Sequence, residues 1–104
     1  MFVYLSHKYG GKKENFDRVT QIANRLQKEH PEHCFISPLH AFSFLKYNDI
    51  GYDEEIFLCE DLISLMSKDD VLLVCSDISE GVRREIALAN LIGMRVEYLE
   101  SDGL

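Results

Sequence analysis

The segment 79–85 combines residue types that could bind an anion and attack an electrophilic carbon. It follows an apolar run and opens a predicted helix. Free N–H groups and the helix dipole favour an anion there, Ser79 adds a hydroxyl, and Gly81 allows a ligand close to the backbone. Glu85 lies one turn after Gly81 on the same helix face. The spacing indicates a carboxylate nucleophile beside an anion site, with the helix N-terminus favouring its ionised form.

Glu85 also has a simpler interpretation, as a solvent-facing glutamate paired with a nearby arginine. The helix pattern weakens this alternative. Val82, Ile86 and Ala89 mark the apolar face, and Glu85 borders that stripe.

A basic cluster near the N-terminus could supply a second contact to an anion. Lys8, Lys12 and Lys13 are sufficient for one phosphate group, and the loop that contains Lys8 also carries Gly10 and Gly11. We therefore expect a phosphate at the 79–82 turn, within reach of Lys8 or of the loop at residues 9–11.

Short apolar runs separated by helical patterns must position these residues. Strands are predicted at Phe2–Leu5, Cys34–Ile36, Val71–Cys75 and Met94–Leu99, the last at a sheet edge. Helices are predicted from about Asn15, its N-cap, to before Pro31, from about Asp53 to Ser67, and from the 79–81 turn to near Ile92. This order predicts one domain over residues 1–104. Its fold class is α/β, three-layer and flavodoxin- or Rossmann-like, with a mostly parallel sheet of about four to five strands and helices on both faces.

Parallel sheets bind ligands beyond the carboxyl ends of their strands. The rule selects three loops, Ser6–Gly11, Ser37–His40 and Cys75–Gly81. His40 could donate a hydrogen bond to a bound base or be an ordinary loop histidine. The aromatic-rich segment 42–52, with Phe42 and Phe44, is interpreted as a lid or short helix over the site.

Composition excludes several classes of function. With 11 basic and 18 acidic residues the net charge is −7, which disfavours a nucleic-acid polymer as partner. Because the sequence shows neither a signal peptide nor an apolar stretch of about 20 residues, we expect a cytoplasmic protein without a membrane partner.

The three cysteines are typical of reduced thiols. The segment 30–34 (His-Pro-Glu-His-Cys) resembles a metal motif but reads as a solvated turn, so neither metal nor cofactor is expected. In a monomer the 42–52 segment would expose apolar surface, which a two-fold interface could cover, so we expect a homodimer.

The motifs together resemble the nucleoside 2-deoxyribosyltransferase-like superfamily, most closely its small members in bacteria and phages. The resemblance spans Phe2 to Leu99 and rests on the order of its motifs. They are Val3-Tyr4-Leu5-Ser6, the Tyr9-Gly10-Gly11 loop with Asn15 beyond it, Asp70 before a strand, and Ser79-x-Gly81-x-x-x-Glu85.

The resemblance implies a site and a mechanism. Glu85 would attack the anomeric carbon, Tyr4 would position it, and Asp61 would lie near the base. Ser79 and Gly81 would hold a 5′-phosphate, and Ser6, Lys8, Gly10 and Asp70 would complete the substrate site. Asp61 could instead be an exposed helix residue, and Asp70 a strand-entry or turn residue.

The expected function is cleavage or transfer at the N-glycosidic bond of a (deoxy)nucleoside or nucleoside monophosphate. The covalent intermediate would join the sugar to a glutamate. The alternative is a non-catalytic module that binds or senses a nucleotide or sugar phosphate. A receiver domain is disfavoured, because Ser6-His7-Lys8 stands where its acidic pocket would need carboxylates.

Overall fold

The protein forms a four-stranded, wholly parallel sheet in a computed structural model that describes residues 1–45 and 52–100. The strands are β1 (Phe2–Ser6), β2 (Cys34–Ile36), β3 (Val71–Val74) and β4 (Arg95–Tyr98). Their order across the sheet is β2-β1-β3-β4. The predicted α/β class, with a parallel sheet of about four strands, is confirmed.

Helices cover both faces of this sheet. They are α1 (Lys13–Glu29), α2 (Pro38–Ala41), α3 (Tyr52–Ser64) and α4 (Glu80–Leu91). Side chains alternate along β1, so Val3 and Leu5 pack with α1, while Tyr4 packs with α3 and α4. Three layers result, and the even-numbered residues of β1 face α4.

The strand order creates a crevice beside the central strand. The chain leaves β1 toward β2 on one side and later returns to β3 on the other. In sheets of this type ligands bind where the connections diverge, outside the carboxyl ends of the strands. Here that crevice lies above Ser6 of β1 and Val74 of β3.

Two predicted helix boundaries are wrong. Lys12, not Asn15, occupies the N-cap position of α1, and the Asn15 side-chain amide instead donates to the Tyr9 carbonyl at 2.8 Å. The predicted end of α3 at Ser67 lies three residues too late. The backbone N–H of Ser67 donates to the Asp70 carboxylate, which places Ser67 in a turn rather than in the helix.

The last strand lies at the sheet edge, as predicted. Val96 packs against the core and Met94 is buried just before the strand, but Tyr98 is 60% exposed. The apolar face of β4 therefore stops short of Tyr98.

The predicted lid is only partly described. Residues 46–51 of the aromatic-rich segment lie outside the described residues. Before them, Ser37 caps the short helix α2, Phe42 is half-buried and Phe44 is 78% exposed. Among the helices of the described residues, none has the length and apolar character to cross a membrane.

Candidate active site

A cavity of about 420 Å³ opens at the carboxyl end of β1. Its walls come from the loop after β1, the start of α2, the inner face of α3 and the first turns of α4, and they include Lys8, Gly10, Leu39, Cys59, Gly81 and Glu85. The volume falls within the range of about 300–1,000 Å³ that is typical of small-molecule sites. The cavity thus lies beyond the carboxyl ends of the strands, where the sequence predicted a ligand site.

Glu85 lies at the inner wall of this cavity and is only 6% exposed. The Tyr4 hydroxyl donates to one of its carboxylate oxygens, and the Ser6 hydroxyl donates to the other at 3.0 Å. Tyr4 and Ser6 are the inward-facing residues of β1 on the α4 side, so strand alternation brings both hydroxyls to one carboxylate. The alternative of a solvent-facing Glu85 paired with an arginine is wrong. The adjacent Arg84 pairs instead with Glu60 at 2.6 Å.

Burial dominates the electrostatics of Glu85. It raises the pKa of the carboxyl to about 7, while the hydrogen bonds from Tyr4 and Ser6 oppose the rise and the nearby charges of Glu55 and Glu60 add to it. The helix N-terminus was expected to favour the ionised form of Glu85, but desolvation outweighs that effect. The resulting carboxyl changes its charge near neutral pH.

The predicted anion turn lies on the same cavity wall. Ser79 is the N-cap of α4, and its Oγ accepts from the Val82 N–H at 3.2 Å. This bond uses an oxygen lone pair and leaves the hydroxyl hydrogen available to a ligand. Ser79 and Gly81 both line the cavity, one turn from Glu85.

Lys8 joins two loops at the cavity rim. Its backbone N–H donates to Ser76 Oγ at 2.9 Å, and its ammonium group pairs with Asp77 at 3.2 Å. Gly10, which also lines the cavity, has φ +62°, a left-handed conformation that favours glycine. Lys8 and Gly10 are therefore placed to contact a ligand, with the charge of Lys8 already partly balanced by Asp77.

Asp61 is not brought to this cavity. The inward positions of α3 are Ile56, Cys59 and Ile63, and Asp61 lies roughly 200° around the helix axis from Cys59. Asp61 is exposed, in agreement with its alternative interpretation.

Asp70 lies at the other end of the sheet, where β1 and β3 begin. Its Oδ1 accepts from the Phe2 N–H at 2.9 Å, and its Oδ2 accepts from the Ser67 N–H at 2.9 Å. These bonds tie the start of β1 to the turn before β3. Asp70 is therefore positioned as a strand-entry residue, away from this cavity.

His40 does not line the cavity either. Its ring stacks on Phe16 at 4.2 Å between centroids, and its two nitrogens contact Ser37 Oγ at 2.6 Å and Thr20 Oγ1 at 2.7 Å. These contacts hold α2 against α1. The neighbouring Pro38 and Leu39 face the cavity instead.

No family model matches this chain. Comparison with curated proteins and with solved structures likewise finds no match. The function must therefore be argued from the cavity, and the family resemblance remains an expectation. Within residues 1–45 and 52–100, no group of three or more His, Cys, Asp or Glu side chains is arranged to hold a metal ion.

Glu55, Cys59 and His7 are among the cavity residues that the sequence analysis did not predict as site residues. Glu55 and Cys59 lie one turn apart on α3, and burial raises the pKa of the Cys59 thiol to about 12. The position of Glu55 one turn before an inward cysteine is the signal that could have identified it.

The third of these residues is His7, which is 4% exposed and lines the cavity. Its Nδ1 lies 2.6 Å from the Lys8 carbonyl oxygen, so this nitrogen carries the hydrogen and donates. Burial lowers the pKa of His7 and favours a neutral ring. Its Nε2 is buried and has no hydrogen-bond partner in the described chain.

Proposed function

We propose that this protein cleaves or transfers at the N-glycosidic bond of a (deoxy)nucleoside or nucleoside monophosphate. Glu85 acts as the nucleophile and forms a covalent glutamyl–sugar intermediate. One observation carries the proposal: a carboxylate held by two hydroxyls of the central strand forms the inner wall of a ligand-sized cavity.

The chemistry of glycosidic cleavage suits this carboxylate. Its transition state resembles an oxocarbenium ion, which an adjacent carboxylate stabilises and then captures. Tyr4 and Ser6 fix the orientation of Glu85 and donate to its ionised form. Because the pKa of Glu85 is about 7, the attacking anion becomes more populated as pH rises through neutrality.

The cavity walls suggest how a nucleotide would be oriented. A 5′-hydroxyl or 5′-phosphate would occupy the turn at Ser79 and Gly81, near Lys8. The sugar would then lie over Gly81 beside Glu85. The base would contact the apolar wall of Leu39 and Cys59.

The decisive experiment is incubation with a panel of deoxynucleosides and their monophosphates, with free base followed by chromatography. We expect wild-type protein to release base and Glu85→Ala to release none, with the fold retained by circular dichroism. Base release by Glu85→Ala at the wild-type rate would remove Glu85 from the mechanism. Ser79→Ala should weaken binding of monophosphates more than binding of nucleosides, with the exposed Ser64→Ala on α3 as control.

A non-catalytic binding module is the second candidate, and the position of Asp61 favours it. The acidic residue expected near the base is absent from the cavity, whereas the anion turn and Lys8 are present. Binding of a nucleotide without any release of base would support this alternative.

We also propose that the chain acts as a homodimer. Phe44, on the described part of the aromatic-rich segment, is 78% exposed, and a second copy could cover it. Light scattering should give twice the 12.0 kDa chain mass, and a mass of one chain at micromolar concentration would contradict it.

A further inference from the structure

Glu55 places a second carboxyl on the wall of the cavity that contains Glu85. It lies on α3, near the start of the helix, and is half-buried. It also lines a small adjoining cavity of about 30 Å³, together with Phe42, Leu39 and Cys59. Within the described part of the chain, its carboxyl makes neither a hydrogen bond nor an ion pair.

We infer that Glu55 is the general acid that protonates the leaving base, the position that the sequence resemblance gave to Asp61. This inference rests on the proposed function, because it requires Glu85 as nucleophile. Cleavage of a glycosidic bond commonly uses two carboxyl groups, one that attacks and one that protonates the leaving group. Glu55 lines the same cavity as Glu85. Among the described residues of α3, it is the one whose carboxyl does so.

The hydrogen-bond donors differ between the two glutamates. Glu85 receives two hydroxyl donors, which favour its ionised form, whereas Glu55 receives none in the described chain. Burial raises the pKa of Glu55, and the negative charge of Glu55 in turn raises the pKa of Glu85. The charge of Glu55 therefore disfavours ionisation of Glu85, and in the open cavity the larger rise in pKa is that of Glu85.

A bound substrate would shift the proton toward Glu55. Glu55 is only half-buried in the open cavity, so a ligand that displaces water will raise its pKa further, while Glu85 is already buried. The other titratable or charged side chains that line the cavity come from the loop after β1, from α1, from α3 and from α4. They are His7, Lys8, Tyr9, Lys12, Glu14, Cys59 and Glu80.

The proton balance of the reaction closes with these two residues. The Glu85 carboxylate forms a bond to C1′ while the C1′–N bond breaks. The electron pair of the C1′–N bond passes to the base. The base takes the proton of Glu55. In the second step Glu55, now a carboxylate, takes a proton from the attacking water, C1′ bonds to the water oxygen, and Glu85 leaves as a carboxylate.

A change of leaving group tests this role. The substrates are 2′-deoxyguanosine and 7-methyl-2′-deoxyguanosine, as nucleosides and as monophosphates, because the methylated base is already cationic and leaves without a proton. For Glu55→Gln we expect kcat/KM to fall about 100-fold or more on deoxyguanosine and less than about 10-fold on the methylated substrate. Asp61→Asn, which removes one charge from the same helix, should match wild type on both.

Three outcomes would overturn parts of the scheme separately. Equal losses of Glu55→Gln on both substrates would show that Glu55 only binds or supports the fold. A selective loss in Asp61→Asn would return the acid role to Asp61. Full activity of Glu85→Gln on both substrates would overturn the proposed function itself, because that variant removes the nucleophile in either case.

Discussion

The phenol of Tyr4 donates a hydrogen bond to the carboxylate of Glu85, which lies 81 positions later in the chain. Tyr4 is fully buried in the central strand, and burial together with the adjacent Glu85 raises the pKa of its hydroxyl well above the usual value. The phenol therefore stays protonated and remains a donor while Glu85 changes its charge. Of the two hydroxyls that donate to Glu85, that of Tyr4 opposes the effect of burial more strongly.

Replacement of Tyr4 by Phe should shift the pH dependence of the reaction. The aromatic ring is retained, but Glu85 loses a donor that lowers its pKa, so the acidic limb of kcat/KM against pH moves to higher pH. A hydrogen bond to a charged group contributes about 1.5 kcal/mol or more, so we expect a loss of about 10-fold at pH 6. Profiles from pH 5 to 9 would measure this, with the exposed Tyr98→Phe as control. An unmoved limb would contradict the assigned role of Tyr4.

Glu85→Gln should stabilise the fold at high pH while it removes activity. Burial raises the pKa of Glu85 from 4.5 to about 7, so the folded state binds more protons than the unfolded state between these values. Stability linked to this group is complete below pH 4.5 and is lost as pH rises through about 7. The loss is on the order of 3 kcal/mol.

Urea denaturation at pH 5 and pH 8 would measure this difference in the free energy of unfolding. The variant should exceed wild type at pH 8 and differ little at pH 5. Glu100→Gln, on an exposed residue, should show no such dependence on pH. A variant that is less stable than wild type at pH 8 would mean that the hydroxyl pair holds Glu85 more strongly than burial opposes it.

Asp70→Ala should reduce stability without altering turnover. Its carboxylate accepts the backbone N–H groups of Phe2 and Ser67, and removal leaves these donors without their partner. We expect a loss of about 1–3 kcal/mol in the free energy of unfolding. The neighbouring Asp69→Ala, on an exposed side chain, provides the control. A selective increase in KM for Asp70→Ala, measured below its melting transition, would return Asp70 to the substrate site.

The three thiols should differ sharply in reactivity. Cys34 is exposed, whereas Cys59 and Cys75 are buried, and burial raises the pKa of each of these two thiols to about 12. Titration with a chromogenic disulfide should modify one thiol per native chain and three after unfolding. Cys34→Ser should abolish the fast phase, and a fast phase that persists in this variant would show that the cavity exposes Cys59.

The sequence was most informative where a single element determines the outcome. The run Cys34–Ile36 was predicted with its observed bounds, and the first strand was predicted to begin at Phe2, where it does begin. The family resemblance gave Asp61 its role, but the inward face of α3 is set by Ile56, Cys59 and Ile63, so Asp61 lies outside the cavity. A helical projection of α3 would have placed Asp61 outside.

Other parts of the site depend on contacts between distant elements. The burial of His7 follows from the packing of the loop after β1, which no local pattern reveals. The raised pKa of Glu85 likewise needs the assembled cavity, because desolvation is a property of the fold rather than of the helix. The contact between Tyr4 and Glu85 could therefore be predicted from the sequence, whereas the raised pKa of Glu85 could not.

The central position of β1 has a consequence for how the protein is made. The ribosome synthesises β1 before both of its neighbours, so Val3 can pair with Phe35 of β2 but must wait for its second partner, Val71 of β3. Parallel pairing over such a separation closes a large loop, which slows folding and leaves apolar edges exposed in the interval. Glu85 emerges later still, so its contacts with Tyr4 and Ser6 can form only after β3 has been synthesised. The cavity should therefore form together with the completed sheet, and chaperone dependence should be greatest just before it.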